Sequence, residues 1–174
     1  VEAAYHEEIY RLTIVDALTG TVNKRYFLEF LERESALSER YGQPLSLVMF
    51  DLDDFKQIND VYGHQIGDLV LRVVTARIRP RIRREDLFAR YGGDEFAVIL
   101  THTDRAGALE LAEAIRDLIR DKPIMTNGHR FMLTLSIGIA TVGGADAADS
   151  RALIEAADKN LYRAKAAGKN QVVG

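Results

Sequence analysis

The sequence predicts an α+β fold, a mostly antiparallel sheet flanked by helices. Three observations predict it. The apolar run Leu45-Ser-Leu-Val-Met-Phe50 stops abruptly at Asp51, Asp53 and Asp54, as a buried strand stops at a sheet edge. Two β-rich runs, Leu87–Tyr91 and Phe96–Leu100, flank the pair Gly92-Gly93, the pattern of a β-hairpin. Stretches of helical periodicity alternate with these strands.

In chain order, residues 2–16 read as a helix, with Ala4, Tyr5, Ile9, Leu12 and Val15 apolar among Glu and Arg. Asp16–Gly20 breaks that pattern. A second helix spans Lys24–Tyr41, with Phe27, Leu28, Phe30, Leu31 and Leu37 inward, and Gly42 and Pro44 end it. After the Leu45–Phe50 strand come a short helix over Phe55–Val61 and a longer one over Asp68–Ile82. The hairpin follows, then an amphipathic helix over Asp104–Asp121. Residues 131–142 are β-rich, with Gly138 marking a bulge or a close backbone approach. A last helix spans Ser150–Ala167, capped by Ser150, and Gln171–Val173 reads as a final strand. The order βα(α)ββαβα is that of a ferredoxin-like sandwich.

The 174 residues suit one domain with its own core, and 47% hydrophobic with 28% charged residues is the balance of a globular chain. The net charge of −3 gives no sign of a nucleic-acid binder. The absence of cysteine excludes disulfides, thiolate metal sites and thiol nucleophiles. No apolar run reaches the roughly 20 residues needed to span a bilayer, and Glu2, His6, Glu7 and Glu8 interrupt any signal-peptide core. The chain begins at Val1, so it reads as part of a longer protein.

Two acidic constellations carry the chemistry. In Asp51-Leu-Asp53-Asp54-Phe-Lys56, carboxylates project from a rigid strand end, a place suited to magnesium, which takes a few carboxylates plus water and phosphate. A strand terminus followed by a helix cap gives the same residues. In Arg90-Tyr-Gly-Gly-Asp94-Glu95-Phe96, the glycines let a ligand approach the backbone while two acids stand at the tip. An ordinary exposed hairpin with solvated acids is the alternative. On an antiparallel sheet the tip lies beside the Asp51 strand end, and the joint cluster calls for a cation.

Gly92-Gly-Asp-Glu-Phe96 resembles the signature of the GGDEF domains, the diguanylate cyclases. Other segments strengthen the resemblance, in order and spacing, from about residue 12 to the end. They are Asp16-Ala-Leu-Thr-Gly20, Phe50–Asp60, Tyr62-Gly-His64-Gln-Ile-Gly-Asp68 and Leu161-Tyr-Arg-Ala-Lys165-Ala-Ala-Gly-Lys169-Asn170. The resemblance implies a nucleotidyl cyclase/polymerase palm fold over residues 17–174, with residues 1–16 as the end of a signalling helix from an upstream sensory domain. It implies condensation of two GTP into cyclic di-GMP by a homodimer, in the cytoplasm, without nucleic acid or membrane contact by this piece. Whether the full-length protein is membrane-attached stays open.

By the same resemblance, Asp51, Asp94 and the Leu52 carbonyl hold magnesium, with manganese as a substitute. Asp94 and Glu95 are the catalytic acids, and which of them is the base stays open. Asn59 and Asp68 read guanine, because a carboxylate accepts from the N1–H and 2-amino donors that adenine lacks. His64 lies near the nucleotide, and Lys56, Lys165 and Lys169 contact phosphates. Each of these polar residues is, outside that frame, an ordinary helix-end or surface residue. Lys169 stands where the family often has Arg, and Thr21 and Lys24 where Leu and Arg are usual. Arg83-Arg-Glu-Asp86, upstream of the hairpin, resembles the family's RxxD site for inhibitory cyclic di-GMP; a solvated basic run is the plain reading. A silent domain that senses GTP or cyclic di-GMP is the principal alternative function. It is disfavoured because Asp51, Asp94 and Glu95 are all present. A polymerase palm lacks room here for fingers and thumb, and a structural dimerisation module leaves the acid cluster unexplained.

Overall fold

The computed structural model describes residues 2–143 and 149–174. Its main sheet has the order β2-β3-β1-β6-β7. The central strand β1 (Leu45–Leu52) runs antiparallel to β3 (Glu95–Thr101) and β6 (Leu135–Val142). β2 (Leu87–Arg90) pairs antiparallel with β3, and β7 (Val172–Val173) pairs parallel with β6. The architecture is thus the α+β palm type, a mixed but mostly antiparallel sheet between helical layers.

Every residue of β1 is buried, because helices cover both faces. Alternation along the strand assigns each side chain to a layer. Val48, Phe50 and Leu52 pack under α4 (His64–Ile78) and α5 (Arg105–Arg120), with α3 (Phe55–Tyr62) at the edge. Leu45, Leu47 and Met49 pack under α2 (Lys24–Tyr41) and α6 (Ser150–Ala166). Asp51 continues the second series and therefore faces α6. The α6 backbone lies directly on Gly138 of β6, where an added Cβ would come within 2.2 Å of Ala157 O. Of the two readings of Gly138, the structure shows the close approach.

Several elements depart from the sequence expectations. The first helix, α1 (Glu2–Ile14), ends early because Val15 bridges to Val22. None of its residues is buried. The inner stripe of α2 is Phe27, Leu31, Ser35 and Ser38, while Leu28 and Leu37 are exposed. α4 starts at His64 rather than Asp68, because Gly63, at φ 89°, separates it from α3 without a longer loop. It ends at Ile78, where Arg79–Arg81 tighten into a 3₁₀ turn around Pro80. α6 is capped by Asp149, whose side chain accepts from Arg151 N–H, and not by Ser150. The β-rich stretch begins earlier than expected, as a separate hairpin of β4 (Ile124–Thr126) and β5 (His129–Phe131) around Asn127-Gly128, both at positive φ. Among the described residues no helix is long and apolar enough to cross a membrane.

Candidate active site

The register of β1 with β3 sets Asp51 directly opposite Glu95, joining the two acidic segments at one sheet end. Leu52 N–H bonds the carbonyl of Asp94 at 3.4 Å, bringing the hairpin tip over the end of β1. Tyr91 N–H and Gly92 N–H both donate to Glu95 O, closing the turn. Neither Gly92 nor Gly93 needs positive φ, and Gly93 faces open space. The glycines therefore leave room beside the acids rather than satisfying the turn.

From α6, Lys165 Nζ donates to Asp51 Oδ2. The other oxygen, Asp51 Oδ1, is buried without any hydrogen-bond partner. Burial, then the charges of Asp94 and Asp53, push the Asp51 carboxyl above its ordinary range against the pull of Lys165. Glu95 is pushed up to about 7 by burial, then by Asp51, Asp158 and Asp94. Burial works against the Lys165 charge, but its bond to Asp51 and the nearby acids hold its pKa above the usual lysine value. The site is thus an acid cluster short of positive charge. Among the described residues no three metal-ligating side chains converge into a cage by themselves. Magnesium takes a few carboxylates, with water and substrate phosphate completing its shell. The orphaned Asp51 oxygen beside Asp94 fits such an ion.

Asp53 has a different task. It is buried and fully satisfied, by Thr134 Oγ1 at 2.7 Å, Ser136 Oγ at 2.6 Å and Asn170 N–H at 3.1 Å. It pins β6 and the loop after α6, which carries Lys169, to the end of β1. Lys169 reaches Asp54 at 2.6 Å, on the neighbouring segment.

Asn59 of α3 lies against Gly67 of α4, the residue before Asp68. Asn59 Oδ1 is buried and unpartnered, pressed over Gly67, where an added Cβ would lie 1.8 Å away. Asp68 follows Gly67 and is exposed in the second turn of α4, so it is not a helix cap. His64 and Lys56 are exposed on the same two helices, and neither makes a side-chain hydrogen bond or ion pair with another described residue.

Arg83 and Asp86 sit apart from this cluster, as a fork. Arg83 Nε donates to Asp86 Oδ2 at 2.8 Å and a second nitrogen to Asp86 Oδ1 at 3.2 Å. They border a cleft of about 300 Å³ between the 3₁₀ turn, β3 and α5.

Two contributors escaped sequence reasoning. Asp158 of α6 adds its charge at Glu95, and its spacing of seven residues from Lys165 places both on one helix side. Arg90 donates to Gly92 O and Gly93 O and reaches Asp16, tying the turn after α1 to the hairpin. Nothing local in the sequence signals that pairing.

The family model described as "Diguanylate cyclase, GGDEF domain" matches residues 13–171. The response regulator PleD of Caulobacter vibrioides is 43% identical over 166 residues, covering 94% of this chain and 36% of that protein. Diguanylate cyclase A of Treponema denticola is 37% identical over 173 residues, covering 98% of this chain and 46% of that protein. The chain therefore spans less than half the length of these relatives. A crystal structure of the coiled coil and GGDEF domain of DgcB from Caulobacter crescentus, in complex with c-di-GMP, superposes with a TM-score of 0.92 at 30% identity, over 98% of this chain and 90% of that one. With the acid pair of β1 and β3, the glycine turn and these matches in agreement, the chain belongs to the GGDEF domain family of diguanylate cyclases.

Proposed function

We propose that this chain is a magnesium-dependent diguanylate cyclase that condenses two GTP into cyclic di-GMP and releases two pyrophosphates. The single observation that carries the reading is the buried, unpartnered Asp51 oxygen inside a cluster of acids facing an open glycine turn. A silent sensor has no need to hold a carboxylate at that cost.

Asp51, Asp94 and the Leu52 carbonyl hold the ion. When bound, magnesium offsets charge on the α-phosphate and the departing pyrophosphate. Lys56, Lys165 and Lys169 supply point charges to the triphosphate, Lys165 and Lys169 turning to it from Asp51 and Asp54. Asn59 and Asp68 take the guanine edge, and His64 lies beside the nucleotide. Glu95, opposite Asp51 at the sheet end, and Asp94 beside it are the candidates to accept the 3′-hydroxyl proton. One site holds one GTP, so each attacking hydroxyl must come from a nucleotide on a second copy, in a two-fold homodimer. Two ester bonds form and two pyrophosphates leave. α1, none of whose residues is buried, is read as the end of a signalling helix that pairs such copies below an upstream sensor. Cyclic di-GMP binds at Arg83 and Asp86 and restrains the enzyme. A cytoplasmic location follows from this reading.

Incubation of the protein with GTP and magnesium, followed by mass analysis of the nucleotides, tests it. Cyclic di-GMP with two pyrophosphates per product is expected. GTP recovered intact from a folded protein that binds it would instead identify a sensor.

A further inference from the structure

After α6 the chain turns through three consecutive residues at positive φ, Gly168 at 118°, Lys169 at 63° and Asn170 at 47°. Gly168 is at home there, because α6 ends in a Schellman turn. Lys169 N–H donates to Ala164 O at 3.0 Å and Gly168 N–H to Lys165 O at 3.4 Å. The next two residues carry a Cβ, and of the two only asparagine adopts the left-handed conformation with some ease. Lys169 is strained, and such strain persists only where surrounding contacts fix it.

Those contacts converge on Asn170. Its N–H donates to Asp53 Oδ2 at 3.1 Å, from the side of the sheet. From α5, Arg116 donates through one nitrogen, Nη1, to Asn170 O at 3.3 Å and to Asn170 Oδ1 at 3.0 Å. Arg116 is itself fixed. Its Nε donates to Glu113 Oε2 at 2.9 Å, and Nη2 lies 2.8 Å from the same oxygen and 3.1 Å from Asp117 Oδ1. Its side chain is only 16% exposed. A guanidinium on a helix that carries none of the acids or lysines of the site thus grips the turn that carries Lys169.

We propose that Arg116 is a positioning residue for GTP binding, which holds the Lys169–Asn170 turn in its strained shape and so aims Lys169 at the substrate phosphates. The inference rests on the phosphate reading of Lys169 given above. The sign of φ sets the direction in which Cβ leaves the chain, so relaxation of Lys169 to negative φ would swing its side chain away from the Asp54 side, where it now reaches. Without Arg116, Asn170 retains its N–H bond to Asp53, which fixes one point of the turn but not its twist. Arginine suits the task because its planar fork serves Asn170 and the two acids of α5 at once. Lysine, a single point charge, cannot serve all three.

The test is equilibrium titration with 3′-deoxy-GTP and magnesium, a nucleotide that lacks the attacking hydroxyl and cannot be condensed. Wild type is compared with Arg116→Ala, Lys169→Ala and the double variant, each checked for folding by circular dichroism. Arg116→Ala should raise the Kd by roughly tenfold, on the scale of one lost charged contact. In the Lys169→Ala background the same change should matter by less than about twofold, because a residue that acts through Lys169 then has nothing to act through. An arginine that only stabilises the fold would cost the same in both backgrounds, and that result overturns the proposal. A folded Arg116→Ala with wild-type affinity overturns it too. Should Arg116→Ala not fold, Arg116→Lys, which keeps a charge beside Glu113 and Asp117, carries the same comparison with the same outcomes. Wild type that does not bind, or Lys169→Ala that binds as tightly as wild type, would instead remove the phosphate reading of Lys169 and the proposal with it.

Discussion

Asp16 and Arg90, 74 residues apart in the chain, meet at 3.4 Å where the turn after α1 lies against the Gly92-Gly93 hairpin. Arg90 also donates to the carbonyls of Gly92 and Gly93, so one guanidinium grips both the turn and the glycine tip. Burial alone would raise the Asp16 carboxyl, but the Thr19 hydroxyl and N–H, and then Arg90, hold it below the usual range. Val22 adds backbone bonds to Phe88 and Arg90 beside it. The end of α1 is thereby fastened to the residues that carry Asp94 and Glu95.

Asp16→Ala should loosen the hairpin without touching the nucleotide. Turnover should fall by roughly tenfold, the scale of a small misplacement of reacting groups. Stability should fall by only about 1 kcal/mol, because the pair is partly solvated. Steady-state rates beside equilibrium GTP binding separate the two effects, and weakened GTP binding at normal turnover would contradict the expectation.

Asp53→Ala should be the more damaging change to the fold. It strands Thr134, Ser136 and Asn170 N–H, three partners of a buried carboxylate. A loss of about 2–3 kcal/mol is expected in chemical denaturation. The surviving folded fraction should show a raised KM for GTP, because the loop carrying Lys169 is no longer pinned.

Glu95 gives a pH signature. Its pKa is raised from 4.5 to about 7, so the folded state binds the extra proton between those values. Stability from this group is full below about pH 4.5 and is lost as pH rises through about 7. In metal-free protein, Glu95→Gln should therefore gain in melting temperature relative to wild type as pH goes from about 5 to about 8. A constant difference across that range would remove the raised pKa.

The Asn59–Gly67 contact predicts that Gly67→Ala, which alters no polar group, behaves like Asn59→Ala. A Cβ placed 1.8 Å from Asn59 Oδ1 forces that side chain out of position. Both variants, and Asp68→Ser, should lower the GTP-over-ATP preference by roughly tenfold, the scale of one charged hydrogen bond. Nucleotide competition binding measures it, and an unchanged ratio in Asp68→Ser would show that Asp68 does not read the base.

Much of this site is legible along the chain. The apolar run into Asp51 and the glycine-flanked strands place two acids at one sheet end, because strand periodicity and hairpin closure are local rules. The break between α3 and α4 is legible, but the sequence places the start of α4 four residues late, at Asp68, because Asp68 looks like a cap while Gly63 does the breaking. The Asn127-Gly128 hairpin carries a strong local signal but lies in strands of three residues, too short for periodicity to register. Asp53, Asp158 and the Asp16–Arg90 pair depend on contacts between distant segments. Asp53 stands in the acidic run after β1, and only the fold shows that Thr134, Ser136 and Asn170 occupy it.

The measurement that bears most directly on the central claim is the rate of cyclic di-GMP formation by wild type, Asp51→Asn and Asp94→Asn, with magnesium and with folding checked by circular dichroism. Wild type should convert GTP. Each variant should stay folded and lose at least about a hundredfold in rate, as expected for removing one electrostatic contact to the transition state. Manganese titration should show weakened ion binding in both. Full turnover by either variant, or a well-folded wild type that leaves GTP intact, would contradict the assignment of catalysis to the Asp51–Asp94 site.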